Sequence, residues 1–156
     1  MATKSHARLA AWAAAAILVV IAGFQFYWGF GGTWGAHEAS GGAMDELTTS
    51  EQIASVIGGL VLLALAGIVL IRVGYWRDHV PFAIARIGTW VIAVLLLLGA
   101  LVNFTAQTDF ERFVNGPVAL LVALLTFVVA RSEVPVSPTG RSEPRTPKRG
   151  APTPVH

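Results

Sequence analysis

The sequence contains no cysteine among its 156 residues, and only 13% of them are charged. The absence of cysteine excludes disulfide bonds, thiolate metal sites and redox chemistry by a cysteine pair. A charged fraction of 13% is well below the roughly 25% of soluble domains, whereas 54% of the residues are hydrophobic. This composition excludes an ordinary soluble globular domain.

The hydrophobic residues are gathered in four runs of roughly 17 to 22 residues, long enough for a helix to cross a ~30 Å hydrocarbon layer. We therefore predict an all-α membrane protein with four transmembrane helices in an antiparallel bundle. The helices are expected at about residues 9–30, 51–73, 81–103 and 109–130. They form one transmembrane domain, 1–131, followed by a tail, 132–156.

Helix boundaries are indicated by capping-box spacings. Thr49 and Gln52 have this spacing before the second run, and Thr108 and Glu111 have it before the fourth. A start near residue 109 makes the fourth helix long enough to span, and it places Pro117 inside the helix. Proline removes one backbone hydrogen bond, so we predict a kink that frees the carbonyl of Phe113.

Positive charge lies almost entirely on one side of the predicted membrane. Ten of the eleven Lys and Arg residues flank the two termini or the loop between helices 2 and 3, and only Arg112 lies in the other two loops. Because basic flanks stay in the cytoplasm, both termini are expected there. Arginine outnumbers lysine nine to two and alanine is abundant, which is typical of a high-GC bacterial genome. The expected location is therefore a bacterial cytoplasmic membrane.

The tail holds six of the eight prolines and few large apolar side chains, so we expect it to be disordered. Its basic residues are candidates for contact with anionic lipid headgroups, at about 1 kcal/mol each. The alternative is a solvated tail that only reinforces topology. The residues concerned are Arg141, Arg145, Lys148 and Arg149.

Ionisable groups are nearly absent from the four runs. Arg86, about one turn into helix 3, is the one charge inside a predicted span. It is expected to snorkel to the headgroups or to lie along Trp90, with contact to a substrate or lipid phosphate as the alternative. All four histidines lie outside the apolar runs, which argues against a buried haem.

The loop after helix 1 contains His37, Glu38 and further acids without a recognisable metal-ligand spacing. A proton-coupled exporter normally carries an acid at mid-membrane, and these runs contain none. We therefore predict no catalytic residue, no metal site and no cofactor. An enzyme is the least favoured class.

Small and polar residues mark the expected helix contacts. Helix 1 carries a small-residue face that includes Gln25 and ends at Gly29, and helix 3 carries a comparable face that ends in Asn103. With Asn115, these amides fall near the outer ends of their helices. They are expected to hydrogen-bond one another or the carbonyl freed by Pro117, or else to line a shallow outward-facing pocket between helices 1, 3 and 4.

The segment from Gln25 to Gly35 is the most distinctive part of the chain, with four aromatic residues before a glycine-rich turn and Trp34 within it. We predict a structural rim: replacing Trp28 or Trp34 with Phe changes little, and replacing Gly31 or Gly32 with Val is worse if φ is positive there. The candidate ligand-binding residues are Gln25, Tyr27, Trp28, Trp34, Arg86, Asn103 and Asn115.

The pattern Tyr-Trp-x-x-Gly-Gly-x-Trp-Gly after helix 1, with Phe-Glu-Arg-Phe at 110–113 and Gly-Pro-Val-Ala-Leu-Leu at 116–121, resembles a small bacterial membrane family, domain of unknown function 3995. The resemblance covers about residues 9–131. It implies four helices and no established activity. Gln25 stands where many members carry His, so a titrating or metal-binding group is not implied at that position.

These observations favour a small accessory or interaction protein of the membrane. The alternative is a small-molecule or lipid binding or transport protein that uses the pocket between helices 1, 3 and 4. The expected partners are the lipid bilayer and another membrane protein or a second copy of the chain, and nucleic acid is not expected.

Overall fold

The structure, a computed structural model, describes residues 2–35, 47–75, 81–106 and 108–132. Within these ranges the chain is helical and has no strand. The helices are α1 (Ala2–Gly29), α2 (Thr49–Arg72), α3 (Phe82–Thr105) and α4 (Gly116–Arg131), and a π-helical turn, Glu111–Asn115, leads into α4. The first three helices, and α4 together with its π-helical turn, each provide a stretch of 21 to 25 residues that is long and apolar enough to cross a membrane. The predicted four-helix membrane fold is confirmed.

Helix α1 extends beyond the hydrophobic run that predicted it. It begins at Ala2, although the apolar run begins near residue 9. Hydropathy marks the part of a helix that lies in the hydrocarbon layer, and polar turns continue past that limit. The predicted disorder of the tail concerns residues that, from 133 onward, lie outside the described ranges.

The cap of α2 lies one residue earlier than predicted. Thr48 is the N-cap residue, and both its backbone N–H and its hydroxyl donate to Oε2 of Glu51, at 2.8 and 2.7 Å. The predicted pairing of Thr49 with Gln52 is therefore wrong. A carboxylate is a stronger acceptor than an amide and is favoured at the positive end of a helix, which explains why Glu51 is preferred.

The fourth span begins where the second capping signal predicts. The hydroxyl of Thr108 accepts the backbone N–H of Glu111 at 3.3 Å and donates to its carboxylate at 2.8 Å. Residues 109–131 are helical throughout, with Pro117 inside. In place of a simple α-helix, the turn before the proline is a π-helix in which Gly116 N–H bonds to the Glu111 carbonyl. The wider turn accommodates a ring that would otherwise meet the preceding turn. A partner for the Phe113 carbonyl stays a prediction.

The helices pack as two antiparallel hairpins. Helix α1 packs mainly on α2 and also on α4, while α3 packs mainly on α4 and also on α2. The core lies where α1 meets α2 and α4, and the face of α1 that points into it is rich in alanine. Small side chains let the helix backbones approach closely, as the sequence predicted for this face. The buried residues of α1 are Ala7, Ala10, Ala11, Ala14, Ala15, Leu18 and Ala22.

Two levels of aromatic side chains mark the edges of the bundle. We call the edge where α1 and α3 begin the proximal edge, and the edge where they end the distal edge. Near the proximal edge, Trp12 Nε1 donates to the Tyr75 hydroxyl at 3.1 Å. Trp28 lies near the distal edge, sixteen residues further along α1. At 1.5 Å per residue the two tryptophans are about 24 Å apart along the helix, which fits aromatic belts at the two membrane interfaces.

Candidate functional site

The chain reverses sharply at the distal end of α1. Gly32 N–H bonds to the Tyr27 carbonyl at 2.9 Å, and Gly31 N–H bonds to the Trp28 carbonyl at 3.0 Å. Gly31 has a φ of +90°. This pair of bonds around a left-handed glycine is a Schellman motif, which ends a helix and satisfies its last carbonyls. The predicted glycine-rich turn is therefore a helix stop of defined geometry.

Two aromatic side chains of α1 hold the backbone of Trp34 after the reversal. Trp28 Nε1 donates to the Trp34 carbonyl at 2.9 Å, and the Tyr27 hydroxyl accepts the Trp34 N–H at 3.3 Å. The backbone donor and acceptor of Trp34 are thus both bound to α1. We call Phe24, Tyr27, Trp28 and Trp34, with the connecting residues 29–33, the aromatic turn.

The ring of Trp34 points back along α1. It stacks on Phe24 with the ring centroids 6.0 Å apart and the planes at 29°. Phe24 lies five residues before the end of α1, so Trp34 reaches back about 8 Å along the helix toward the hydrocarbon layer. Below the indole, a shallow apolar groove follows the exposed side of α1. It is lined by Val20, Gly23, Phe24, Tyr27 and Trp34.

The structure separates the predicted ligand-binding residues into different places. Tyr27, Trp28 and Trp34 come together in the aromatic turn. Gln25 lies instead between α1 and α2, where its side-chain amide is close to Gly58. This placement follows from the small-residue face that the sequence indicated for α1. The groove therefore belongs to α1 and the turn after it, and Gln25 is not among its lining residues.

The amides of Asn103 and Asn115 lie at half-buried positions on α3 and in the π-helical turn. Within the described ranges, the structure gives no side-chain hydrogen bond between Gln25, Asn103 and Asn115. The predicted amide cluster therefore is not assembled by direct bonds in this part of the chain. The pocket between helices 1, 3 and 4 stays a prediction.

Arg86 lies at the opposite, proximal edge, and its side chain is exposed. Trp90, one turn further along α3, packs edge-to-face against Phe127 of α4 with the centroids 5.4 Å apart. The guanidinium of Arg131 lies over the Phe127 ring, 5.6 Å from its centroid. The aromatic pair joins α3 to α4, and Arg131 lies beside it.

Sequence reasoning missed the roles of two further arginines. Arg72 is only 3% exposed, and its Nη2 donates to the carbonyls of Ala130 and Ser132 at 3.4 and 2.5 Å. At the distal edge, Arg112 Nη2 donates to the Ala106 carbonyl at 2.8 Å. Both arginines place positive charge at the carbonyl end of a neighbouring helix, where the helix dipole favours it. The signal in the sequence was only that Arg72 directly follows the second apolar run and Arg112 directly precedes the fourth.

Within the described ranges, no group of three His, Asp or Glu side chains is placed to hold a metal ion. His37, Glu38 and the acids at 45 and 46, the predicted acidic loop, lie outside those ranges. The arrangement on α1 offers aromatic surface and hydrogen-bonded backbone. An aromatic surface without free ionisable side chains suits contact with an apolar partner and anchoring at a membrane interface.

Comparison with protein families gives a match over most of the chain. The model of a family described as protein of unknown function (DUF3995) matches residues 18–128. No curated protein and no solved structure matches the chain. The match covers parts of all four helices and the aromatic turn.

Proposed function

Since the chain belongs to the DUF3995 family of proteins of unknown function, we propose a role from its own surfaces: it is a small accessory or interaction protein of a bacterial cytoplasmic membrane. The surface through which it binds another membrane protein is the aromatic turn. Both termini lie in the cytoplasm, as the distribution of Lys and Arg predicts. The distal edge therefore faces the outside.

This proposal rests on the hydrogen bonds within the aromatic turn. The side chains of Tyr27 and Trp28 hold the backbone of Trp34, so these groups serve the architecture of the turn. The result is a fixed aromatic surface in which Trp34 is 71% exposed and the adjacent Phe30 is 82% exposed. Rigid aromatic side chains supply large contact area at low entropic cost, and they are enriched at protein interfaces.

Site-specific photo-crosslinking in cells tests this proposal. A photoreactive phenylalanine analogue replaces Phe30 in one strain and Phe113 in another. Phe113 is a matched control because it is 68% exposed and lies near the same edge, but on the π-helical turn. We expect one discrete protein adduct from position 30, lost when Trp34→Ala is added. Lipid adducts only, or the same adducts from both positions, would contradict the proposal.

A second candidate function is the binding of an apolar ligand in the groove on α1. Its support is Gly23, which lines the groove and where an added Cβ would meet no atom within 4 Å, so that the groove is open at this residue. Gly23→Leu fills this space. Gly99→Leu is the matched control, because Gly99 also lies in a helix and also faces open space.

Native mass spectrometry of protein extracted in mild detergent distinguishes the two variants. If the groove holds a lipid chain, the Gly23→Leu variant retains one lipid fewer than the wild type, and Gly99→Leu retains the same number. Equal retention by both variants would refute this second function. It would leave the interaction proposal untouched.

A further inference from the structure

The contact between Trp90 and Phe127 fixes the register of α3 against α4. The rings are 5.4 Å apart at 89°, and the two helices run in opposite directions. A residue four before Trp90 is therefore level with a residue four after Phe127. These residues are Arg86 and Arg131, and each lies one turn nearer the proximal edge on the same helix face as its aromatic neighbour.

The two arginines and two rings form a layered arrangement. The guanidinium of Arg131 lies 5.6 Å from the Phe127 centroid, and Trp90 meets the same ring edge-on. Both aromatic side chains remain about 40% exposed on the outside of the bundle. Both arginine side chains are exposed as well. Two exposed cations thus lie one helical turn nearer the proximal edge than two partly exposed aromatic rings.

The charges around this arrangement are all of one sign within the described ranges. The acids described there, Glu51, Asp109 and Glu111, all lie at the distal edge. The structure gives no ion pair between Arg86 or Arg131 and any described residue. Their situation contrasts with that of Arg72 at the same edge, whose buried guanidinium is bound to backbone carbonyls.

We propose that Arg86 and Arg131 bind the phosphate of an anionic phospholipid headgroup, with Trp90 and Phe127 packing against the glycerol and first methylenes of the same lipid. Two guanidinium groups at one level match a phosphate, because each presents a fork of N–H donors to its oxygens. Basic positions between transmembrane helices at the cytoplasmic face are suited to anionic headgroups. This site is independent of the interaction proposed for the aromatic turn, which lies at the other edge.

Competition between two lipids tests the site. The purified full chain is exposed to equal amounts of phosphatidylglycerol and phosphatidylcholine in mild detergent, and native mass spectrometry gives the ratio of the two bound lipids. We expect Arg86→Gln and Arg131→Gln each to lower this ratio about fivefold, and the double variant to lower it about 25-fold. Inorganic phosphate added at millimolar concentration is expected to leave the ratio unchanged.

Arg8→Gln is the matched control, because Arg8 is an exposed arginine on α1 near the same edge. It is expected to leave the lipid ratio within twofold of the wild type. An unchanged ratio in the double variant, an equal fall in Arg8→Gln, or displacement of the lipid by inorganic phosphate would each overturn the proposal.

Helix content by circular dichroism and the amount of bound phosphatidylcholine report whether the variants fold. Should the double glutamine variant unfold, Arg86→Lys with Arg131→Lys replaces it. The lysine pair keeps both positive charges but cannot form bidentate hydrogen bonds to a phosphate, so it is also expected to lower the ratio of bound phosphatidylglycerol to phosphatidylcholine. A lysine pair with the wild-type ratio would then overturn the proposed phosphate geometry.

Discussion

The indole Nε1 of Trp28 donates a hydrogen bond of 2.9 Å to the backbone carbonyl of Trp34. The bond closes the aromatic turn against α1, and it makes the two tryptophans unequal. Trp28 contributes a side-chain hydrogen-bond donor, whereas Trp34 contributes its backbone N–H and carbonyl and the stacking of its ring on Phe24. No hydrogen bond from the Trp34 indole is found within the described ranges. The sequence alone predicted the same small effect for replacement of either tryptophan.

Replacement of each tryptophan with phenylalanine is expected to separate these roles. Trp28→Phe removes the donor and should lower the stability by about 1 kcal/mol. Trp34→Phe keeps a ring for stacking and the backbone bonds, so its effect should lie within about 0.5 kcal/mol. Thermal unfolding of both purified variants in the same detergent measures the difference. Equal effects, or a larger effect for Trp34→Phe, would show that the Trp28 bond does not hold the turn.

The two glycines of the turn are required for different reasons. Gly31→Ala forces an L side chain to a φ of +90°, at a cost of about 1–2 kcal/mol. In Gly32→Ala the obstacle is space, because the new Cβ would overlap the Tyr27 ring. We expect a cost of about 1–3 kcal/mol from such overpacking.

A double-mutant cycle with Tyr27→Ala distinguishes the two glycines. In the Tyr27→Ala background, Gly32→Ala should lose most of its cost, whereas Gly31→Ala should keep its cost in full. Chemical or thermal unfolding of the single and double variants gives the coupling. A Gly32→Ala cost that does not change when the ring is removed would contradict the packing that the structure gives.

Arg72 is expected to be the arginine on which stability depends most. Arg72→Met removes a buried donor to the carbonyls of Ala130 and Ser132, and it should lower the stability by about 2–3 kcal/mol. Arg8→Met, at an exposed position near the same edge, should change the stability by less than about 0.5 kcal/mol. Thermal unfolding in detergent provides the comparison, and similar melting temperatures for the two variants would rule out this role for Arg72.

The helices of this protein could be predicted because their signal is local. Each apolar run is long enough to span, and the spacing of Thr108 and Glu111 correctly predicted where the fourth helical segment begins. The alanine-rich face of α1 was predicted from residue size alone, since only one face of the helix carries small residues at every turn. The cap of α2 was predicted one residue too late because two adjacent threonines, Thr48 and Thr49, both have capping-box spacing. The structure selects Thr48 because the carboxylate of Glu51, and not the amide of Gln52, bonds to the N-cap residue.

The site was harder to predict, because its contacts depend on the arrangement of helices. A terminal arginine such as Arg72 has the same sequence context whether it extends to the headgroups or bonds to a neighbouring helix. The end of α4 lies beside Arg72 only because of how the four helices pack together. The sequence likewise places Gln25 and Asn115 near the outer ends of their helices. Only the packing of α1 on α2 decides that Gln25 lies against Gly58. Composition alone indicated an aromatic, glycine-rich turn after α1. The sequence did not show that Trp34 folds back onto Phe24, because that direction is set by the Schellman motif at Gly31.

Topology is the property on which the proposed surfaces most directly depend, because it decides which edge faces the cytoplasm. Reporter fusions after residues 40, 77, 107 and 140 measure it, with a periplasm-active and a cytoplasm-active reporter at each position. The distribution of Lys and Arg predicts outside, inside, outside and inside, in that order. A periplasmic signal from the fusion after residue 140 would contradict the cytoplasmic position of the C-terminus and reverse the assignment of both edges.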